Sequence, residues 1–105
     1  MEIKINGSGN KGQLAIDGEM NIYSAGDSKI ALIEALGKYR ELEIDLAAVT
    51  HIDTTGIQLL VLLKREAAKA GNLLRLTNHS PVTLAAFDTF NLTAHFGDPV
   101  VIPSK

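Results

Sequence analysis

A carboxylate and two hydroxyl groups stand side by side in the stretch HIDTTGIQLL. Asp53, Thr54 and Thr55 separate an alternating apolar run from a nearly continuous one, which is the pattern of a strand followed by a helix. Thr55 and Gln58 have the spacing of a capping box, in which each side chain hydrogen-bonds a backbone N–H group at the helix start. This interpretation predicts a helix over residues 56–70 with Thr55 as its N-cap, and it requires no biological activity.

The side of this predicted helix that begins at Thr55 is polar. At about 100° per residue, one stripe carries a hydroxyl, an amide, an aliphatic and two cationic side chains: Thr55, Gln58, Leu62, Arg65 and Lys69. The opposite side has no polar member and is expected to face the core: Leu60, Leu63, Ala67 and Ala70. Leu62 is an apolar residue on the polar side, beside a hydroxyl held at a helix start, which favours a surface that contacts another protein.

Phosphorylation is a chemistry that a hydroxyl at a helix start can support. A phosphate on Thr55 would face unsatisfied backbone N–H groups and the positive end of the helix dipole, so the fold would tolerate it. The phosphate would also bring nearly two negative charges to any partner docked along the stripe. The sequence thus predicts an interaction surface that is switched by modification of Thr55.

Length and composition limit the other possibilities. The 105 residues are enough for one domain, 1–105, and 46% of them are apolar and 21% charged. A formal net charge of -2 gives no field that would attract nucleic acid, and there is no cysteine for a disulfide or a thiolate metal site. The longest apolar run, residues 59–63, is too short to cross a bilayer, and the N-terminus has no apolar segment of signal-peptide length. We therefore expect a cytoplasmic protein without direct membrane insertion.

Hydrophobic periodicity predicts alternating strands and helices in the rest of the chain. The predicted elements, in order, are strands over 2–6 and 13–18 that form a hairpin, a helix over 24–39, a strand over 41–46, the helix over 56–70, a strand over 73–77, a helix from 81 that Asn91 closes and a short strand over 100–102. The expected helix boundaries are Ser24 or Asp27 as the first cap, Gly71 in the left-handed conformation after the second helix, and Ser80 as the third N-cap before Pro81. Strands that alternate with helices after a hairpin predict an α/β fold, a mixed sheet of four to five strands covered by three to four helices.

Three other chemistries are less well supported by the sequence. The loop GSGNKG, residues 7–12, formally matches the G-x-G-x-x-G dinucleotide fingerprint, but a strand follows it where the fingerprint needs a helix. His51, His79 and His95 are far apart and lack the spacing of a helical metal site. His51 could serve as the base for a nucleophilic Thr55, but a chain this short leaves little room for the oxyanion site and substrate pocket that catalysis also needs. We therefore expect no cofactor, no metal and no enzyme activity.

Two motifs resemble the STAS domain family, whose founding members are bacterial anti-sigma-factor antagonists. The stretch IDTTGIQLL, residues 52–60, is similar to the family's D-S-S-G-L stretch, and GEMN, residues 18–21, looks like its GELD. The order of the elements matches the family from about residue 2 to residue 102, including the segment NHSPVT before the third helix. The resemblance implies a STAS-like mixed sheet with helices and a phosphorylatable hydroxyl at the position matched by Thr55, with Asp53 helping to shape the loop.

The resemblance also implies partners. In that family a GHKL-type kinase, often an anti-sigma factor, modifies the hydroxyl residue and releases the product, and a PP2C-type phosphatase reverses the step. This sequence departs from the family pattern in two ways, because Thr replaces Ser at positions 54 and 55, and Asn21 stands where the family often has an Asp that assists the kinase complex. Some STAS proteins of lipid-transport ATPases carry D-T-G-G and act as constitutive subunits, with Thr54 matching their Thr. The sequence is also similar to STAS proteins of bacterial chemotaxis signalling.

The sequence thus predicts a non-enzymatic regulatory module of bacterial transcription, a monomer or weak dimer that binds a protein partner as an anti-sigma-factor antagonist does. Thr55 is the predicted phosphorylation site, with Thr54 as the alternative. The predicted partner surface comprises Asn21, Asp53, Thr54, Thr55, Gly56, Gln58, Leu62, Arg65 and Lys69. The alternative function is a constitutive subunit that regulates a transporter ATPase of the lipid-transport type, or a chemotaxis-linked signalling partner.

Overall fold

The computed structural model describes residues 1–89, apart from the side chain of Asp27. Four strands and three helices fill this range: β1 Glu2–Ser8, β2 Lys11–Met20, α1 Ile22–Lys38, β3 Glu41–Ile52, α2 Thr54–Lys69, β4 Leu73–Thr77 and α3 Pro81–Thr89. The predicted α/β fold class is confirmed. The predicted strand over 100–102 and the predicted end of the third helix at Asn91 lie outside the described residues.

The four strands form one mixed sheet in the order β1-β2-β3-β4. β1 and β2 are the predicted antiparallel hairpin, whereas β2, β3 and β4 run parallel to one another. Parallel neighbours need crossover connections, which α1 and α2 supply, and these two helices pack side by side. Because Met20 pairs with Ile52 where β2 and β3 end, both helices begin at the same edge of the sheet.

The core lies between one face of the sheet and the helices. Alternate residues of the central strand β3 are buried in it, Leu42, Ile44 and Leu46, whereas Glu43 and Asp45 are half buried on the other face. β3 runs on to Ile52, well beyond its predicted end at residue 46. The apolar–polar alternation stops after Leu46, but parallel pairing with β2 continues across two register shifts, so hydrogen bonding maintains the strand where the sequence pattern does not.

Helix α1 begins at Ile22, and the predicted caps Ser24 and Asp27 are both wrong. Asn21 is the N-cap: its backbone is extended (φ -137°, ψ -178°), and its Oδ1 accepts from the N–H groups of Tyr23 at 3.0 Å and Ser24 at 3.2 Å. The Ser24 hydroxyl completes a capping box by accepting from the N–H of Asn21 at 3.1 Å. The box uses Asn and Ser instead of the common pairing of Ser or Thr with Glu or Gln, so the usual pattern does not reveal it.

Two other predicted helix boundaries, Gly71 after α2 and Ser80 before α3, are confirmed. Gly71 follows α2 with φ +71°, and the N–H of Asn72 donates to the carbonyl of Ala67 at 2.9 Å, which is a Schellman ending. Ala70 is the C-cap of α2 and is exposed, so its predicted place in the core is wrong. Ser80 is the N-cap of α3, since its hydroxyl accepts from the N–H of Thr83 at 3.3 Å.

The glycine-rich loop of residues 7–12 is explained by packing. Gly7 and Gly12 lie opposite each other in the hairpin, and the buried ring of Tyr39 lies across both. A Cβ atom on either glycine would lie 2.5 Å from an atom of that ring. The turn itself contains Gly9 at φ +62°. The loop leads into β2, not into a helix, so the dinucleotide fingerprint lacks its second half.

Candidate partner-binding site

The junction between β3 and α2 is built on Asp53. Its backbone is extended (φ -111°, ψ -174°), and its Oδ1 accepts from the N–H of Gly56 at 3.1 Å. Asp53 is therefore the N-cap of α2, and the predicted capping box of Thr55 and Gln58 is wrong. Both Asp and Thr are good caps, but Asp ranks higher, and the helix starts after the stronger one. Consequently α2 begins at Thr54.

The same carboxylate also reaches the start of α1. Its second oxygen, Oδ2, accepts from the backbone N–H of Ile22 at 3.3 Å, and the N–H of Asp53 donates to the carbonyl of Met20 at 3.1 Å. One side chain therefore bridges the N-termini of α1 and α2. Each helix N-terminus carries a partial positive charge, and the carboxylate stabilises the meeting of the two. This contact also brings the sequence motifs GEMN and IDTTGIQLL together.

Gly56 makes this close approach possible. The residue is buried, and a Cβ at this position would lie 2.5 Å from the carbonyl oxygen of Met20 and 2.9 Å from Cγ1 of Ile52. No other residue leaves room for the first turn of α2 against the end of β2. Gly56 has no side chain and little exposed surface with which to contact a partner. Its role is therefore to let the neighbouring residues take their positions.

The two hydroxyl residues occupy the first two positions of α2. Thr54 is exposed, and Thr55 is half buried in the wall of an open groove. At these positions the backbone N–H groups precede the first intrahelical hydrogen bonds, so they remain directed toward the helix start. Both residues therefore have solvent-exposed surface at the positive end of the helix.

The groove that Thr55 lines runs between α1 and α2 and has a volume of about 260 Å³. Its walls are Ala25, Gly26 and Lys29 on α1 and Thr55, Gln58, Leu59 and Leu62 on α2. Sequence reasoning placed Gln58 and Leu62 beside Thr55 but missed the α1 wall. A helical projection describes one helix and gives no information about the helix packed against it. The α1 wall could have been predicted from two features of the sequence. These are the helical spacing of residues 24–39 and the parallel crossover topology, which places successive helices side by side.

The remaining predicted residues lie at the two ends of the groove. Arg65 and Lys69 are exposed further along α2, and Lys69 Nζ lies 3.8 Å from Oε1 of Glu66. Asn21 lies beside Asp53 at the other end, where its Nδ2 donates to Oε2 of Glu19 at 3.3 Å. The structure thus unites Asn21 with the residues at the start of α2 and leaves Arg65 and Lys69 at a distance from them along the helix.

A family model described as "Mlab, STAS domain" matches residues 3–102. The chain belongs to the STAS domain family. The match spans both motifs that meet at Asp53 and Ile22. Among curated protein sequences, no relative of this STAS domain was found.

Several solved structures share the fold of this STAS domain. An anti-sigma factor antagonist from Mycobacterium paratuberculosis is 16% identical, with 97% of this chain and 86% of that chain covered, at a TM-score of 0.83. The Bacillus cell fate determinant SpoIIAA in its phosphorylated form is 14% identical, with 96% and 92% covered, at a TM-score of 0.72. A sulfate transporter family protein from Wolinella succinogenes is 20% identical, with 84% and 72% covered, at a TM-score of 0.70. At such identities the likeness establishes the STAS fold.

Other kinds of site find little support in the STAS domain as far as residue 89. Within that range, no group of three or more His, Asp or Glu residues is placed to hold a metal ion. None of the three described helices is both long enough and apolar enough to cross a membrane. His51 is exposed on β3, His79 is buried, and His95 lies outside the described residues. The α1–α2 groove with its two adjacent hydroxyls is therefore the strongest candidate site.

Proposed function

We propose that this STAS domain is a non-enzymatic regulatory module that binds a protein partner at the α1–α2 groove and is controlled by phosphorylation of Thr55. The observation that carries the proposal is the placement of Thr55. It lines the groove and is accessible, and it lies in the turn where two helix N-termini meet at Asp53. Contact residues are Thr54, Gln58, Leu62, Arg65 and Lys69, whereas Asn21, Asp53 and Gly56 hold the loop in shape.

A phosphate at this position changes binding without unfolding the domain. The helix N-termini of α1 and α2 favour negative charge, and Lys29 stands on the opposite wall of the groove. The modified residue adds nearly two negative charges and three oxygen acceptors to a groove that a partner can enter while Thr55 is unmodified. SpoIIAA, a protein of the same fold, exists in a phosphorylated form, which supports this use of the fold.

The proposed partners follow from the likeness to anti-sigma-factor antagonists. A GHKL-type kinase that is also an anti-sigma factor binds the unmodified domain and phosphorylates Thr55, and a PP2C-type phosphatase restores it. This cycle takes place in the cytoplasm and controls transcription. Thr54 is the alternative acceptor, since it is exposed and adjacent.

Three variants and a control test this proposal. A partner captured from native lysate by the unmodified domain is titrated against Thr55→Ala, Thr55→Glu and Thr54→Glu, with Thr89→Glu on the exposed end of α3 as the control. We expect Thr55→Ala and Thr89→Glu to bind like the wild type and Thr55→Glu to bind at least tenfold more weakly. Intact mass of the domain from its native host is expected to show an adduct of about 80 Da, one phosphoryl group. Equal binding by Thr55→Ala and Thr55→Glu would remove the switch.

A second candidate function is that of a constitutive subunit of a transporter ATPase. It is favoured by the exposure of Thr54, the residue that matches the Thr in the D-T-G-G stretch of such subunits. This candidate predicts stoichiometric co-purification with the ATPase whatever the state of Thr55. It also predicts that Thr55→Glu leaves the complex intact, whereas the switch at Thr55 predicts its loss, so this variant separates the two functions.

A further inference from the structure

The outer side of α1 carries four exposed apolar side chains that do not pack in the core. Ile22 is 66% exposed, Tyr23 91%, Ile30 67% and Ile33 37%. At about 100° per residue these side chains and Gly26 fall on one side of the helix, which we name the α1 ridge. Single exposed apolar residues are ordinary, but four on one side of a helix form a patch of the kind that marks a binding surface.

The α1 ridge adjoins the groove that contains Thr55. Gly26 belongs to both, and a Cβ at Gly26 would meet no atom within 4 Å, so the surface is open at this point. The helices start together at Asp53, so the ridge and the polar stripe of α2 run side by side in the same direction. A groove between two helices with an apolar ridge beside it is a surface on which a third helix can bind.

The charges beside the groove are mainly positive. Lys29 lines it, and Arg65 and Lys69 are exposed along its α2 side. Glu66 offsets one of these cations, because it lies 3.8 Å from Lys69, and the exposed Glu34 lies on the side of the ridge that faces away from α2. The positive charges therefore lie on the groove wall at Lys29 and further along α2, whereas the carboxylates of Asp53 and Glu19 lie at the end where both helices begin.

We propose that the α1 ridge and the groove together bind an amphipathic helix of the partner protein, with its apolar side on the ridge and acidic residues facing Lys29, Arg65 and Lys69. This inference rests on the proposed function, because it describes how the same partner docks. A second copy of the chain is a poorer fit, since a two-fold interface pairs the same patch with itself and would place these cations near their own copies.

The proposed charge pattern also explains why phosphorylation releases the partner. A phosphate on Thr55 adds nearly two negative charges across the groove from Lys29, so the attraction of this lysine for acidic side chains is cancelled. Binding of the unmodified domain is then expected to weaken as salt rises, because exposed charge pairs are screened. In the phosphorylated domain the α1 ridge keeps its apolar surface, but the phosphate occupies the groove beside it.

A photo-cross-linking experiment identifies the docked segment. A benzophenone amino acid is placed at Ile30 in the full chain, and at Val82 on α3, also exposed, as the control. After irradiation in native lysate, the cross-linked partner peptide is sequenced. We expect a cross-link from position 30 only, to a segment with apolar residues at helical spacing and a surplus of Asp and Glu. A cross-link to a second copy of the chain, to a basic segment, or no cross-link beyond that of the control overturns the proposal.

Binding measurements then separate this inference from the switch at Thr55. The variants Ile30→Asp and Lys29→Glu are expected to lower the affinity for the captured partner at least tenfold, while Val82→Asp leaves it unchanged. Circular dichroism melts check that each variant is folded, which is expected because all three positions are on the surface. If Thr55→Glu loses binding but the ridge variants do not, the proposed function stands and the docking surface is wrong. If the ridge variants lose binding but Thr55→Glu does not, the docking surface stands without the switch.

Discussion

The carboxylate of Asp53 accepts a hydrogen bond from the backbone N–H of Ile22, 31 residues earlier in the chain, at 3.3 Å. Its other oxygen caps α2 through the N–H of Gly56. One charged side chain thus fixes where two helices begin relative to each other. This contact joins the two helices at one end of the groove that lies between them.

Substitution of Asp53 by Ala is expected to lower the free energy of unfolding by about 2 kcal/mol, since the loss of an N-cap alone costs about 0.5–2 kcal/mol and here two helix starts lose their acceptor. Asp53→Asn keeps an acceptor for the cap and should lose less. Urea denaturation measures both, with Asp17→Ala on the exposed surface of β2 as the control. A loss for Asp53→Ala no larger than that of the control would mean that the bridge does not stabilise the domain.

Glycine substitutions distinguish packing from flexibility in this fold. Gly12→Ala places a methyl group 2.5 Å from the Tyr39 ring and is expected to destabilise the domain by about 1–3 kcal/mol, as overpacking does. Gly37→Ala, in α1 with open space around it, is expected to stabilise the domain by about 0.5–1 kcal/mol. Thermal or urea unfolding of the two variants measures whether the free energy of unfolding falls or rises. Stabilisation by Gly12→Ala would show that Tyr39 does not pack as the structure has it.

The pattern of elements could be predicted from the sequence because local signals were strong. Alternation identified the hairpin and the start of β3, and Gly71 and Ser80 marked helix boundaries through conformational preferences that depend on few neighbours. The predicted start of α2 was wrong because Asp53, Thr54 and Thr55 are all residues that can cap a helix. The ranking of N-cap residues favours Asp53, and the long-range bond from Asp53 to Ile22, which no local pattern contains, adds to that preference.

The site was predicted in part for the same reason. The α2 stripe could be found by helical projection, so Thr55, Gln58 and Leu62 were placed together correctly. Lys29 and Gly26 were missed because they join the site only through the packing of α1 against α2. Ile30 and Ile33 lie within the helix predicted over 24–39, yet both are exposed, and the sequence gives no sign that they lie outside the core.

Gly56→Ala tests the close approach of α2 to β2. The added methyl group would lie 2.5 Å from a backbone oxygen, that of Met20, which cannot rotate away as a side chain can. We expect a loss of about 3 kcal/mol in the free energy of unfolding, at the upper end of what overpacking costs. Urea denaturation measures it, and Gly37→Ala serves again as the control in a helix. A variant as stable as the wild type would show that the start of α2 can shift, and that Gly56 is not required there.

The tolerance of the fold for negative charge at Thr55 can be measured without a partner. Thr55→Glu and Thr55→Gln have nearly the same shape and differ by one charge. The two helix N-termini and Lys29 favour the charge, by about 0.3–1 kcal/mol for a first-turn carboxylate, whereas Asp53 opposes it. We expect Thr55→Glu to be at least as stable as Thr55→Gln in urea denaturation at low salt, with the difference reduced at about 1 M salt, where charges are screened. If Thr55→Glu is clearly less stable, a phosphate would disrupt the helix start, and control of binding by phosphorylation at this residue would have to be abandoned.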